Sequence, residues 1–182
     1  MTPTFFSVVL AAIALKSSPS DAASAQNHRQ LILGGTVVST KTKTYKVGLR
    51  STAESENFCG GSLVSPTHVL TASHCTTYDI RWASIGSHYL NGAQDGEQVK
   101  VLSVMNNPNF SVNIDFSNDF AVLELEYASS FKPVKLAAAD DSDFKTGATT
   151  TALGWGLTNE DGNMSEELRR VDLPLISDNA CA

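Results

Sequence analysis

The sequence predicts an all-β fold, on three observations. Short strand-like runs rich in Val, Ile and Leu recur from residue 45 onward. Turn-forming pairs separate them: Ser65-Pro66, Asn91-Gly92, Asp95-Gly96 and Asn107-Pro108. Helical 3.6-residue periodicity is nearly absent.

In chain order the expected strands are Tyr45–Arg50, Gly61–Val64, Val69–Ala72, Ile80–Ile85, Gln98–Met105 and Phe120–Leu125. Val99 and Val101 share one face of their run, whereas Leu102 and Val104 take the other. Such a change of phase predicts a β-bulge. Ala121, Leu123 and Leu125 lie on one face of the last run, directly after Asp119. This many short strands in roughly 110 residues argue for a barrel or sandwich. A second unit begins near Gly147. Thr149–Leu157 and Leu168–Ile176 read as two further strands. Ser177 is then a natural N-cap, and Asp178 suits a first helical turn. Residues 147–182 are expected to hold only part of this second unit.

The N-terminus carries an apolar run, Phe5 to Leu15, followed by a polar stretch and Ala23-Ser24-Ala25. This is the form of a secretory signal, residues 1–25, cleaved after Ala25, although no Lys or Arg precedes Phe5. The run is too short to span a bilayer. Export implies an oxidising compartment. Cys59 and Cys75 lie 16 residues apart on strands expected to be adjacent, so a disulfide between them is predicted. Cys181 is the odd thiol. Asn109-Phe110-Ser111 and Asn163-Met164-Ser165 are glycosylation sequons in polar stretches. The net charge of −6, with no cluster of Lys or Arg, argues against nucleic acid or an anionic membrane as partner.

His74, directly before Cys75, has three readings: a general base, a metal ligand or a packed structural histidine. The spacing of His68, His74 and His88 matches no metal-binding pattern, so no metal or cofactor is expected. The base reading needs a carboxylate to orient the imidazole, and Asp119 at the head of an apolar strand supplies one.

Four segments carry a resemblance. They are "ILGG" at 32–35, "CGGSLVSPTHVLTASHC" at 59–75, "NDFAVLEL" at 118–125 and "GWG" at 154–156. In this order, with His74 and Asp119 separated by 45 residues, the chain resembles the chymotrypsin-like (trypsin family) serine proteases. The resemblance implies a double β-barrel. Residues 26–31 would be a short pro-like segment, 32–146 a complete first barrel and 147–182 a truncated second barrel. It implies that His74 is the general base and Asp119 its orienter, and that Cys181 pairs with a cysteine further downstream. The Gly-Asp-Ser-Gly-Gly nucleophile segment of that family does not occur in the 182 residues, and Leu31 replaces the basic residue expected before Ile32. The expectation is therefore a chain without peptidase activity. The alternative is a truncated serine endopeptidase that uses His74 and Asp119.

A closer resemblance is carried by "AQNHRQLILGG", "KTYKVGLRSTAE", "IGSHYLNGAQDGEQVKV" and "AADDSDFKTG". These look like the glucanase inhibitor proteins secreted by oomycete plant pathogens. That resemblance implies an extracellular protein of the host apoplast that binds a host plant endo-β-1,3-glucanase and suppresses release of defence-eliciting glucan. The polar loop Ser87–Gln98 is the expected exposed contact.

Overall fold

The computed structural model describes residues 35–112, 114–140, 142–158 and 163–181. The expected signal (1–25), the segment 26–31 and the start at Ile32 lie outside them.

Among the described residues nine strands form two sheets. They are β1 (Thr36–Val37), β2 (Lys46–Arg50), β3 (Cys59–Ser65), β4 (His68–Thr71), β5 (Trp82–Ile85), β6 (Glu97–Asn106), β7 (Ala121–Leu125), β8 (Thr149–Gly154) and β9 (Arg169–Pro174). Strands β2, β3, β4, β7, β6 and β5 close into an antiparallel barrel, with β5 returning to pair with β2. Alternate residues point inward and make its core. Val47, Leu49, Leu63, Val69, Ala83, Ile85, Val99 and Leu123 are all fully buried. The Ala121-Leu123-Leu125 face predicted from the sequence is the buried face of β7.

The predicted bulge is present. The register of β6 against β7 shifts between Val101 and Ser103. Val99 before it is buried, whereas Leu102 within it and Val104 after it are exposed, on the same outward face as Lys100.

The second sheet has the order β1-β9-β8 and is open among the described residues. A separate small core joins Val38, Leu90, Trp155 and Leu168. Main-chain bonds from the loop after β5 stitch this unit to the barrel: Leu90 N–H donates to Glu166 O (2.8 Å), and Leu168 N–H to His88 O (2.7 Å). Helix α1 (Asp178–Cys181) follows, with the Ser177 carbonyl accepting from the Ala180 and Cys181 amides. Among the described residues no helix is long and apolar enough to cross a membrane.

Several elements differ from the sequence reading. Strand β1 was not foreseen, since two residues are too few to show alternation. Strand β8 stops at Gly154 rather than Leu157, because Trp155 turns into the small core and Leu157 bridges to Met164. Cys75 is not on a strand. It lies in a 3₁₀ turn, Ser73–Thr77, just past β4. The Thr76 and Thr77 hydroxyls brace that turn by donating to the Ser73 and His74 carbonyls, each at 2.8 Å.

The disulfide joins Cys59 at the start of β3 to Cys75 in the turn, and Cys181 is a free, exposed thiol. The bridge therefore anchors the turn that carries His74 to the barrel wall. Replacing both Cys59 and Cys75 by Ser should lower the unfolding free energy by about 3 kcal/mol, the value expected for closing a loop of this length. Urea midpoints at equal slope measure it. Non-reducing peptide mapping of the native protein should return the Cys59–Cys75 pair and an unlinked Cys181.

Candidate functional site: a histidine–aspartate pair on a cleft

The 3₁₀ turn presents His74 beside the entry to β7, where Asp119 sits. Ser73 is fully buried, and its hydroxyl donates to Phe120 O (2.7 Å), tying the two segments together. The His74 backbone N–H donates to Asp119 Oδ1 (2.8 Å), and His74 Nδ1 lies 2.6 Å from Asp119 Oδ2. Burial works against the Asp119 carboxylate. The hydrogen bonds from the His74 ring and backbone, with the charge of His74, outweigh it and hold the carboxyl below its usual range. An ionised carboxylate only accepts, so Nδ1 carries the proton and Nε2 is left as the basic nitrogen.

This arrangement can take up a proton at Nε2 and stabilise the resulting imidazolium. The disulfide sulfur of Cys75 lies 3.6 Å from Nε2, and Phe116 stands edge-on to the ring with centroids 6.1 Å apart. Among the described residues no hydroxyl hydrogen-bonds Nε2. Ser62 faces the same cleft from β3 without reaching the imidazole.

A cleft of about 830 Å³ runs from His74 across the seam between barrel and second sheet. Lys46, Gly60 and Tyr78 line it on one side, Trp155, Asn163 and Met164 on the other. Lys46 Nζ lies 5.7 Å from the centre of the Trp155 ring. A Cβ at Gly60 would meet that ammonium, the movable end of a long side chain. The side chain keeps some access to solvent along the cleft, but its ammonium is surrounded by protein. Burial pushes its pKa down to about 8.

The site residues inferred from sequence are therefore brought together in part. His74 and Asp119 are in contact, with the Cys59–Cys75 bridge beneath them. Asn163 is exposed on the cleft rim, and Asn109 is exposed in the loop before Asp119. The sulfurs of Cys59 and Cys75 cluster with His74, but both are consumed by the disulfide, which leaves one nitrogen and no thiolate for a metal. His68 and His88 lie elsewhere, bonded to Thr67 and Glu167 respectively. Lys46 and Trp155 were not anticipated as cleft residues. The signal available was a cation inside an apolar strand.

The trypsin family matches residues 32–182. The chain belongs to the trypsin family. It is 49% identical over 159 residues to glucanase inhibitor protein 2 of Phytophthora infestans, covering 85% of this chain and 60% of that protein. It is 46% identical over 173 residues to glucanase inhibitor protein 2 of Phytophthora sojae, covering 94% of this chain and 58% of that one. A trypsin from Saccharopolyspora erythraea is 32% identical over 154 residues, 82% of this chain and 66% of the enzyme. The chain thus spans about three fifths of the length of the two inhibitor proteins. In this trypsin-family chain the His74–Asp119 pair stands at the mouth of the cleft, one member from each of two barrel segments.

Lys46 gives the cleft a pH signature. Its folded-state pKa is depressed, so the unfolded chain holds this proton more tightly between about pH 8 and its ordinary value near 10.5. The resulting destabilisation is complete below about pH 8 and fades as pH rises through that window. Lys46→Met should therefore raise the melting temperature at neutral pH, and the gain should shrink by about pH 10. Thermal melts of both proteins across that range check it.

Proposed function

We propose that the chain is a secreted trypsin-fold protein that binds and inhibits plant endo-β-1,3-glucanases and does not hydrolyse peptides. The observation that carries this reading is the 49% identity, over 85% of the chain, to a protein named as a glucanase inhibitor. The chemistry in hand supports it. The 182 residues hold a base and its orienter but no Gly-Asp-Ser-Gly-Gly segment. A base and its orienter acting without a nucleophile would lose about 10⁶ in rate. On this reading the His74–Asp119 pair is not used for turnover.

The expected contact loop, Ser87–Gln98, needs correction. Ser87 and His88 are 1% and 4% exposed, and only Ala93, Gln94 and Gly96 at the tip are exposed. Asp95 draws the loop inward: it accepts from the Ser87 hydroxyl (2.7 Å) and the His88 amide (2.9 Å). A better contact surface is the loop beside His74, where Val112, Ile114 and Phe116 are 63%, 72% and 65% exposed. Apolar side chains displayed together in this way mark interaction surfaces. A stable complex needs about 1,000 Å² or more of buried surface, so the patch would form part of a larger footprint.

Reducing-sugar release from laminarin by a purified plant endo-β-1,3-glucanase should fall when the protein is added in molar excess. His74→Ala should inhibit as well as the native protein, whereas Ile114→Ser with Phe116→Ser should weaken inhibition at least about tenfold. Unchanged sugar release across several plant glucanases would overturn the reading.

A second reading rests on the intact His74–Asp119 geometry and the likeness to a bacterial trypsin. It makes the chain part of a serine endopeptidase whose nucleophile lies outside these 182 residues. Hydrolysis of tryptic or chymotryptic esters by the purified protein, abolished by His74→Ala, would establish it over the first.

Both sequons belong to the secreted reading. Asn109 and Asn163 are exposed, and a glycan on Asn163 would cover the cleft mouth. Enzymatic glycan release from the secreted protein should convert both asparagines to aspartate, as read by peptide mass.

A further inference from the structure

His88 is 4% exposed and is bonded through its amide, its carbonyl and its ring. Its N–H donates to the Asp95 carboxylate, within its own loop. Its carbonyl accepts from Leu168 N–H (2.7 Å) and from Trp155 Nε1 (3.0 Å), both in the second unit. Its ring Nε2 lies 3.0 Å from Glu167 Oε1, next to Leu168. Tyr89 stacks edge-on to the ring at 5.0 Å. One barrel residue therefore fastens the second sheet at three points.

We propose that His88 and Glu167 form a pH-sensitive clasp between the barrel and the second sheet, drawn tighter when the imidazole takes up a proton. Histidine is the side chain that changes charge between about pH 5 and 8. In the neutral ring one nitrogen is a donor and the other an acceptor, so one tautomer sets a lone pair of Nε2 against the carboxylate. Protonation from solvent makes both nitrogens donors, removes that tautomer and places a cation against Glu167.

The surrounding charges favour the same direction. Glu167 faces the ring directly, Asp95 holds the amide of the same residue, and the adjacent Glu166 is exposed beside them. The cations of this region are turned elsewhere. Arg169 donates to Ser165 Oγ (3.1 Å) and Gly35 O (2.7 Å), and Lys46 stands over the Trp155 ring. The Glu167 side chain is 48% exposed, so solvent screening keeps the gain modest. Because the cleft takes its walls from both units, the clasp also sets how firmly those walls are held together.

The test is amide hydrogen exchange of the purified protein, expressed as protection factors. Leu90 and Leu168 amides report the seam, and the Leu49 amide reports the barrel. Between about pH 8 and about pH 5.5, seam protection relative to Leu49 should rise about two- to fivefold, the range for a partly exposed ion pair. In Glu167→Gln, which keeps a polar side chain at a half-exposed position and should fold normally, the rise should vanish; His88→Gln should behave alike. A flat native profile, or an equal rise in Glu167→Gln, would overturn the proposal whether or not His88→Gln folds.

Discussion

The return of β5 onto β2 is the constraint on which the rest of the molecule depends. Closing the barrel removes every free edge from its six strands and forces alternate residues inward, which is how Val47, Leu49 and Ile85 become fully buried. Closure also fixes what leaves the barrel and where. The outward residue Lys46 on β2 reaches the cleft, and the loop after β5 carries His88 to the second sheet. The turn after β4 and the entry to β7, which hold His74 and Asp119, are adjacent because β4 and β7 are paired along their length.

The histidine–aspartate pair is consequently a product of strand pairing more than of its own attraction. A buried hydroxyl and a disulfide fix the turn that carries the imidazole, and the His74 amide holds the Asp119 carboxylate against it. Such over-determination means that the fold by itself maintains the geometry of the pair. The residues that orient the pair also hold the turn, so selection for the fold alone would retain them.

What could be read from the sequence follows the same division. The barrel strands, the face of β7 and the bulge in β6 were legible because two-residue alternation, and its change of phase, is written locally. His74 and Asp119 were legible because each lies in a distinctive segment. The loop from Ser87 to Gln98 was misread as exposed for a specific reason. Its Asp95 and Gln98 are polar, but they are spent on internal hydrogen bonds rather than on water. Polar composition reports the need for partners and not where the partners are. The position of Cys75 in a 3₁₀ turn was hidden because the apolar run before it carries no stop signal beyond Ser73. The pairing of His88 with Glu167 spans 79 residues and leaves no local trace at either end.

Strand β1 is only two residues long, yet it pairs with β9, joining Thr36 to Arg170 and Val37 to Arg169. The Arg169 guanidinium reinforces the join by donating to Gly35 O across 134 positions of chain. Contacts so distant in sequence close a large loop and are entropically slow to form. The barrel is assembled from segments between residues 46 and 125, and all of them leave the ribosome before β9 does. Synthesis therefore imposes an order: the barrel can condense while the N-terminal strand waits, unpaired, for a partner not yet made. Until then β1 is a free edge, and β9, made later, is what brings it to rest.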